Sequence, residues 1–422
     1  MHYFGLILLA LLPFQMAIPL LGFELPLARV MSAILLVLWG VLFCIRASSI
    51  AISRDIFLPL IGFLGWIGLS LLLQPDLSGD WLRKLVFLMG IYPLVIVWST
   101  LIYQGHEYSL FKALVWGGVV SAFAALGLFS LQFWLGTNRM FELLTQQILP
   151  PFLGQTLAER VASFPSIFVA IGGETWLRAT AFFPDPHVAA YFFGMVGFTA
   201  CGLFLDTRKW YWLLAGLVLI LTDLLTFSRG GYMGLLAGAV IFLGISLRRG
   251  NWDRKWIFLV GLVPVLIVIL WPAIRRFISS FLLDDASSLD RFQLWQMALS
   301  NIIVSPWLGM GLGQYAEYIF PFQGAHFPYY AHNLYLDIAV EAGLVALFFF
   351  GWFLGAAFLG SLSRTLARGE GLSLGVAAGL AAYIVHSFFE TPLFSTHVAI
   401  VLSLFIAFGA TKTTKKSSFE IQ

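Results

Sequence analysis

Charge is scarce in this sequence: charged residues make up 11% of its 422 residues, whereas soluble domains carry about 25%. Cysteine is scarce too, and both Cys44 and Cys201 lie in apolar runs, which argues against a disulfide framework and a metal-thiolate site. The net charge is only +3, and the basic residues are scattered rather than clustered. These shortages exclude a cytosolic globular enzyme and make nucleic acid an unexpected partner.

Cofactor and metal motifs are also missing. The sequence has no Walker loop, no HExxH motif and no paired-histidine spacing, and the adjacent Asp284 and Asp285 are more typical of a solvated loop pair. Gly309-Met-Gly-Leu-Gly313 resembles a dinucleotide loop only superficially, because that loop follows a strand and opens a helix. We interpret its glycines as turn or close-packing positions and predict no metal and no cofactor.

Long hydrophobic runs dominate what is there, since 60% of the residues are hydrophobic. A bilayer leaves backbone groups no partner but each other, and these runs are too long and continuous for barrel strands. At about 20 residues per span, the sequence predicts an all-α, polytopic integral membrane protein with about 12 transmembrane helices. The predicted spans lie near 4–22, 29–46, 55–74, 84–103, 111–135, 187–205, 210–228, 231–247, 256–273, 333–360, 371–388 and 395–411.

The distribution of basic residues predicts the orientation, because Lys and Arg in short loops favour the cytoplasm. With both termini cytoplasmic, 14 of the 24 basic residues fall on the cytoplasmic side and four in short outside loops. The first run has no basic n-region and no small-residue cleavage site, so we expect a retained span rather than a signal peptide.

Two long outside segments, 136–186 and 274–332, divide the chain. Both are rich in apolar and aromatic residues, which favours interfacial helices on the outer leaflet over disorder. The remaining predicted units are spans 1–5 (1–135), spans 6–9 (187–273), spans 10–12 (333–411) and a cytoplasmic tail (412–422).

Arg229 interrupts the apolar run between two spans, in the motif Ser228-Arg-Gly-Gly231. An arginine there either snorkels to the interface or binds an anion. The neighbouring Gly230 and Gly231 favour binding, because they would allow a substrate or another backbone to approach closely. Asp223 is a candidate partner or a contact to a neighbouring helix.

His332 and Asn333 open the tenth predicted span. A helix N-terminus presents free N–H groups to a phosphate, and histidine can exchange protons near neutral pH. The alternative is that one of the two merely caps the helix. Asp337 lies close enough along the same helix to influence His332, and Glu341 follows one turn later.

Three further residues are predicted at the outer face. Arg291 lies in the first turn of a predicted helix, Arg178 ends the first long segment, and His187 follows Asp185 as N-cap and Pro186 at the first helical position. Arg178, Arg229 and Arg291 could jointly bind a pyrophosphate through bidentate guanidinium contacts. Most loop arginines, however, are simply solvated.

The order of these motifs across roughly 170–350 resembles the bacterial O-antigen ligase and polymerase superfamily. An Arg precedes Phe-Pro-Asp-Pro, and then come Ser-Arg-Gly, Asp-Arg-x-x-x-Trp, Pro-x-x-Gly-x-Gly-x-Gly and His-Asn-x-Tyr. The ligase pattern is His, then Asn, Ser or Gln, then nine residues and Gly, then two residues and Gly, Thr or Tyr. His332, Asn333 and Gly343 match it, whereas the last position is Ala346.

The resemblance implies a GT-C-type, metal-independent, inverting glycosyltransferase in the bacterial inner membrane with a periplasmic active site. Its donor would be a glycan on undecaprenyl pyrophosphate, and its acceptor a sugar hydroxyl of lipid A–core or another lipid-linked glycan. By the same resemblance, His332 would be the general base, and Arg229 and Arg291 would bind the pyrophosphate. By its position alone, Arg178 is a further candidate for this binding. Asn333, Asp337 and His187 would support them.

Ligase is the favoured activity, because the His332 motif resembles the ligases. The two long periplasmic segments resemble polymerases, so an O-antigen or exopolysaccharide polymerase is the alternative, and a protein O-oligosaccharyltransferase stays open. From a different class, a transporter would place ionisable groups at mid-membrane within inverted repeats. The sequence shows no such repeat, and its candidate residues gather at the outer ends of spans.

Overall fold

The structure is a computed structural model that describes residues 1–20, 23–46, 54–74, 80–163, 165–171, 173–248, 286–322 and 329–411. Helices dominate these ranges, as the long apolar runs predict, and the only strands described form two short antiparallel hairpins. The helices are α1 (His2–Leu11), α2 (Leu27–Arg46), α3 (Arg54–Leu73), α4 (Trp81–Ile91), α5 (Leu94–Tyr103), α6 (Glu107–Leu135), α7 (Thr137–Leu143), α8 (Leu149–Leu153), α9 (Gln155–Ser163), α10 (Pro186–Thr207), α11 (Trp210–Leu224), α12 (Arg229–Arg248), α13 (Ala286–Val304), α14 (Gln314–Ile319), α15 (Leu334–Arg368), α16 (Gly371–His386) and α17 (Thr396–Ala410). The strands are β1 (Ala17–Leu20), β2 (Phe23–Pro26), β3 (Phe168–Ile171) and β4 (Glu174–Leu177).

Seven helical stretches in the described residues are long and apolar enough to cross a membrane: α2, α3, α4 with α5, α6, α10, α12 and α15. Four shorter apolar helices accompany them: α1 with its following turn, α11, α16 and α17. The all-α, polytopic membrane architecture is thereby confirmed. The ninth predicted span, 256–273, and the predicted tail, 412–422, lie outside the described residues.

The first predicted span ends earlier than residue 22. Helix α1 stops at Leu11 and passes through a 3₁₀ turn at Leu12–Phe14 into the β1–β2 hairpin. Pro13 has no backbone N–H to continue the helix, and Gln15 adopts a left-handed conformation with φ of 42°. The apolar residues beyond position 16 therefore form strands instead of helix.

Helices α10 and α15 organise the packing. Helix α10 packs most extensively on α16 and α11, while α15 packs on α3 and α17. Helix α2 lies at the other extreme, because only 22% of its apolar window is buried and Val37 and Ile45 are largely exposed. An apolar helix with such a face suits contact with lipid, whereas α10 forms part of the protein interior.

The first long segment folds into short elements, as its apolar composition predicts. Helices α7, α8 and α9 and the β3–β4 hairpin surround a small separate core that includes Met140, Leu149 and Leu153. The Glu24 carboxylate of β2 accepts hydrogen bonds from the backbone N–H groups of Gln155 and Thr156, at 2.7 and 3.1 Å. This contact fastens the start of α9 to the β1–β2 hairpin.

Candidate active site

A buried carboxylate, Glu390, lies in the loop 387–395 between α16 and α17 and is only 3% exposed. His332 Nδ1 lies 2.9 Å from Glu390 Oε1. Arg291 Nη2 and His187 Nε2 lie 3.5 and 3.7 Å from Glu390 Oε2. Three residues that the sequence predicted for the outer face are therefore gathered around one acid.

His332 is held by the start of α15. Asn333 is the N-cap of this helix, and its side chain accepts hydrogen bonds from the backbone N–H groups of Tyr335 and Leu336 at 3.0 and 3.2 Å. His332 itself adopts a left-handed conformation with φ of 53°. Such a conformation is uncommon outside glycine and is typically maintained where the surrounding structure over-determines it.

Asp337 connects the loop before His332 with the loop that carries Glu390. Its Oδ1 accepts a hydrogen bond from the Ala331 backbone N–H at 2.8 Å, and its Oδ2 accepts one from the Thr391 hydroxyl. Asp337 thus fixes the backbone of Ala331, which precedes His332, and the side chain of Thr391, which follows Glu390. This position supports His332 without a direct bond between the two side chains.

His187 follows the helix start that the sequence predicts. Asp185 caps α10 by accepting from the His187 and Val188 N–H groups, and Pro186 takes the first helical position. The other ring nitrogen of His187, Nδ1, lies 2.8 Å from Ser228 Oγ. His187 therefore bridges Glu390 and the residue before Arg229.

Arg229 is the first residue of α12 and is half-buried. Its neighbour Ser228 contacts His386 Nε2 at 3.3 Å as well as His187. The His386 ring packs closely against Gly230, because a Cβ at this position would lie 2.4 Å from the ring. The space beside this glycine is therefore filled by the His386 side chain, and the approach of a substrate at this position stays a prediction.

Arg178 lies at the edge of this group. Its Nε donates to the Phe168 carbonyl at 3.1 Å, a bond to the β3–β4 hairpin. Both Arg178 and Arg291 act electrostatically on His187. The structure thus brings Arg178 near His187 and Arg291 to Glu390, while the meeting of Arg178, Arg229 and Arg291 on one pyrophosphate stays a prediction.

The charge of Glu390 follows from its surroundings. Burial alone would raise its pKa, but His332, His187 and Arg291 together hold the pKa of this carboxyl well below its usual value. Burial also raises the pKa of the neighbouring Tyr330 phenol, and the Glu390 charge raises it further. The site therefore holds an ionised carboxylate next to a neutral phenol whose ring lies 4.5 Å from that of His332.

The His332–Glu390 pair has the geometry of a base and the group that orients it. A carboxylate accepts a hydrogen bond from the Nδ1–H of the imidazole, which leaves Nε2 as the nitrogen that can take up a proton. His332 is 20% exposed, so a reacting group can reach it. Within the described residues, no group of three or more His, Cys, Asp and Glu is arranged to hold a metal ion.

A cavity of about 370 Å³ adjoins this cluster, and Glu390, Tyr330 and Asp337 form part of its wall. Besides Phe63 and Ile67 of α3, its lining comes from the starts of α2, α4, α10, α15 and α17, the turn before β1, both long segments and loop 387–395. These are the segments that the basic-residue distribution assigned to a single side. The lining includes the basic residues Arg29, Arg83, Lys84 and Arg160.

Glu390 and these four basic residues were not predicted as site residues. A signal existed for Glu390, because a lone acid in a nine-residue connection between two apolar helices is costly unless it is paired. Arg29, Arg83 and Lys84 stand in short loops or at helix starts, where solvated basic residues are common. Only the convergence of distant segments distinguishes them.

Gly343 interrupts the helical backbone of α15, and the glycine-rich loop before this helix packs against the interruption. Its backbone is non-helical, with φ of 82°, and a Cβ there would lie 1.8 Å from the Trp307 carbonyl oxygen. The carbonyls of Val340 and Glu341 instead accept bonds from the N–H groups of Met310 and Gly311, at 2.7 and 3.0 Å. The glycine-rich loop thus packs into the helix break, which confirms the close-packing interpretation of these glycines.

Comparison with known proteins supports the motif resemblance. Residues 213–351 match the model of the O-antigen ligase family. The exopolysaccharide production protein ExoQ of Rhizobium meliloti (strain 1021) is 26% identical over 231 residues, which cover 50% of this chain and 53% of that relative. The chain thus aligns with about half the length of this relative. The match confirms the predicted resemblance: residues 213–351 of this membrane-integral protein are similar to the O-antigen ligase family.

Proposed function

We propose that this protein is a membrane glycosyltransferase that moves a glycan from undecaprenyl pyrophosphate to a sugar hydroxyl. The observation that carries the proposal is the contact between His332 and the buried, ionised Glu390, with Arg291 on the same carboxylate. This arrangement places a base and a cation on Glu390, a carboxylate that lines the cavity. Family membership of the region that holds Arg229, Arg291 and His332 supports the choice of substrate class.

In the proposed reaction, His332 Nε2 removes the proton of the acceptor hydroxyl while its oxygen forms a bond to the anomeric carbon. The bond from that carbon to the pyrophosphate oxygen breaks, and its electron pair leaves with undecaprenyl pyrophosphate. Arg229 and Arg291, with Arg178, stabilise the developing charge. Attack opposite the leaving group inverts the anomeric carbon, and no metal ion takes part.

We propose lipid A–core as the acceptor, because His332, Asn333 and Gly343 match the ligase pattern and the matching family is described as O-antigen ligase. A second candidate is polymerisation, in which the acceptor is another lipid-linked glycan. The similarity to a protein named for exopolysaccharide production favours this second candidate. Both use the same donor and the same base.

We propose further that the protein lies in the bacterial inner membrane, with both termini in the cytoplasm and the cavity open to the periplasm. The argument is the excess of basic residues in the predicted cytoplasmic loops. Clustering of the cavity-lining residues in the predicted outside segments is consistent with this orientation. Cysteine labelling of intact cells at exposed positions on each side would test it.

The decisive assay uses the purified protein in lipid, a defined undecaprenyl-pyrophosphate glycan and lipid A–core, with and without EDTA. We expect glycan on lipid A–core, no inhibition by EDTA, and a fall of about 10²- to 10⁴-fold in turnover for His332→Ala. His106→Ala is the matched control, because His106 lies at the start of α6, outside the cluster. Longer lipid-linked chains without transfer to lipid A–core would indicate the polymerase, and wild-type turnover in His332→Ala would refute the general-base role.

A further inference from the structure

The start of α17 forms a wall of the cavity and has unsatisfied polar groups. Ser395, Thr396 and His397 all line the cavity, and Ser395 is the N-cap of this 15-residue helix. The Ser395 side chain makes no capping bond, and within the described part of the chain its buried Oγ has no partner. A helix N-terminus carries roughly +0.5 elementary charge and presents free N–H groups, so it favours an anion.

His397 provides an independent indication of a ligand at this wall. It is only 1% exposed, and its Nε2 has no hydrogen-bond partner among the described residues. Buried polar atoms in folded proteins are nearly always hydrogen-bonded, so an orphan in a cavity wall indicates a missing partner. The ring is fixed by Phe183, whose centroid lies 4.8 Å away.

Arg29 adds a positive charge that is not paired with any acid in the part of the chain that the structure describes. Its Nε donates to the neutral Thr396 hydroxyl at 2.8 Å, and its guanidinium lies over the Phe87 ring at 4.9 Å. The charge that acts on Arg29 is that of Arg83, which has the same sign. Two guanidinium groups and a helix N-terminus on one wall favour a negative charge between them, and the exposed Arg83 already has Asp80 at 3.7 Å.

Of the acids that line the cavity, only Asp80 contacts one of these arginines, and it contacts Arg83 rather than Arg29. Asp80 lies 3.7 Å from Arg83 in an exposed pair, and Glu341 lies 2.5 Å from Lys84. Asp185 caps α10, and Asp337 and Glu390 hold the His332 region as described above. A ligand is therefore the group best able to supply the negative charge at Arg29.

We propose that Arg29, Arg83 and the first turn of α17 form an anion subsite that binds a phosphate group of a substrate. This subsite is separate from the cluster around Glu390, although both belong to one cavity. Its assignment to a substrate rests on the proposed function, which supplies two sources of phosphate: the pyrophosphate of the donor and a phosphate on the lipid acceptor. Its affinity for a phosphate-class anion does not depend on transfer activity.

Binding is tested first with inorganic pyrophosphate and the intact protein in phosphatidylcholine nanodiscs, by isothermal titration calorimetry. Loss of one charge-assisted contact weakens binding by about tenfold or more, so we expect that change for Arg29→Gln and a smaller one for Arg83→Gln. Arg83 is exposed, so its variant is expected to fold normally. Arg29→Lys keeps the charge and should recover part of the affinity.

Arg248→Gln is the matched control, because Arg248 is an exposed arginine at the far end of α12. Its affinity for pyrophosphate should equal that of the wild type. Unchanged binding in both Arg29→Gln and Arg83→Gln, or no binding by the wild type, would overturn the subsite. Binding with these variant effects but no glycan transfer by the wild type would overturn only the proposed function.

Steady-state kinetics identify the source of the phosphate. A raised KM for the undecaprenyl-pyrophosphate glycan in Arg83→Gln would assign the subsite to the donor. A raised KM for lipid A–core with an unchanged donor KM would assign it to the acceptor. If neither KM changes in Arg29→Gln or Arg83→Gln, the subsite does not bind a substrate and the proposal fails.

Discussion

Replacing Glu390 with glutamine tests whether this acid orients His332. The substitution preserves size but removes the charge from a residue that contacts His332, His187 and Arg291. A hydrogen bond to a charged group contributes about 1.5–3 kcal/mol. If that energy holds the imidazole in its reactive orientation, its loss lowers kcat by roughly 10- to 100-fold, since each 1.36 kcal/mol corresponds to a factor of ten.

The assay compares kcat and KM of Glu390→Gln in the lipid-reconstituted transfer reaction. We expect kcat to fall while KM for the donor stays near the wild-type value, because the substitution does not remove an arginine. Glu370→Gln is the matched control: Glu370 also accepts two arginine contacts, from Arg364 at 3.2 Å and Arg368 at 3.5 Å, but lies before α16. A correctly inserted Glu390→Gln protein with wild-type kcat would refute the orienting role.

Two further predictions concern stability. Gly343→Ala should lower the free energy of unfolding by about 2 kcal/mol or more, because its Cβ would overlap the Trp307 carbonyl. Gly351→Ala is the control and should not lower it, because Gly351 lies in the same helix with open space around it. Equal thermal stability of the two variants would contradict this account. The ionised Glu390 should stabilise the fold at every pH above its unfolded pKa of about 4.3, and this contribution should disappear only as the pH falls through the lower folded value. Chemical unfolding of the wild type and Glu390→Gln across pH would measure it, and a difference that grows on acidification would contradict the ion cluster.

Local sequence chemistry was sufficient for the helix starts. Asp185 and Pro186 predict the start of α10, and the structure shows the cap bonds. Asn333 likewise caps α15, which confirms that one residue of the His332–Asn333 pair is a helix cap. His332 is not the cap, and its side chain contacts Glu390 instead. Among the described residues, seven of the predicted spans coincide with helices long and apolar enough to cross a membrane, and four with shorter apolar helices, the first of which ends near Pro13.

Long-range convergence was not predictable in the same way. Glu390 lies 58 positions from His332, and Arg29 lies 367 positions from Thr396, so no local spacing relates the members of either pair. The spacing of apolar residues indicates which face of a helix is apolar, but it does not indicate which other helix packs against that face. The pairing of charges across the cavity therefore required the three-dimensional arrangement.

The break at Gly343 has a mechanical consequence. The segment before it, which begins at His332, is attached to loop 305–311 by the backbone bonds at Val340 and Glu341, while the Leu344 N–H bonds to the Pro306 carbonyl at 2.8 Å. A displacement of that loop is therefore expected to reach His332 through the short helical segment 334–342, about two and a half turns long. If His332 is the base that we propose, a ligand that binds the segment before Gly343 should also change the position of its imidazole.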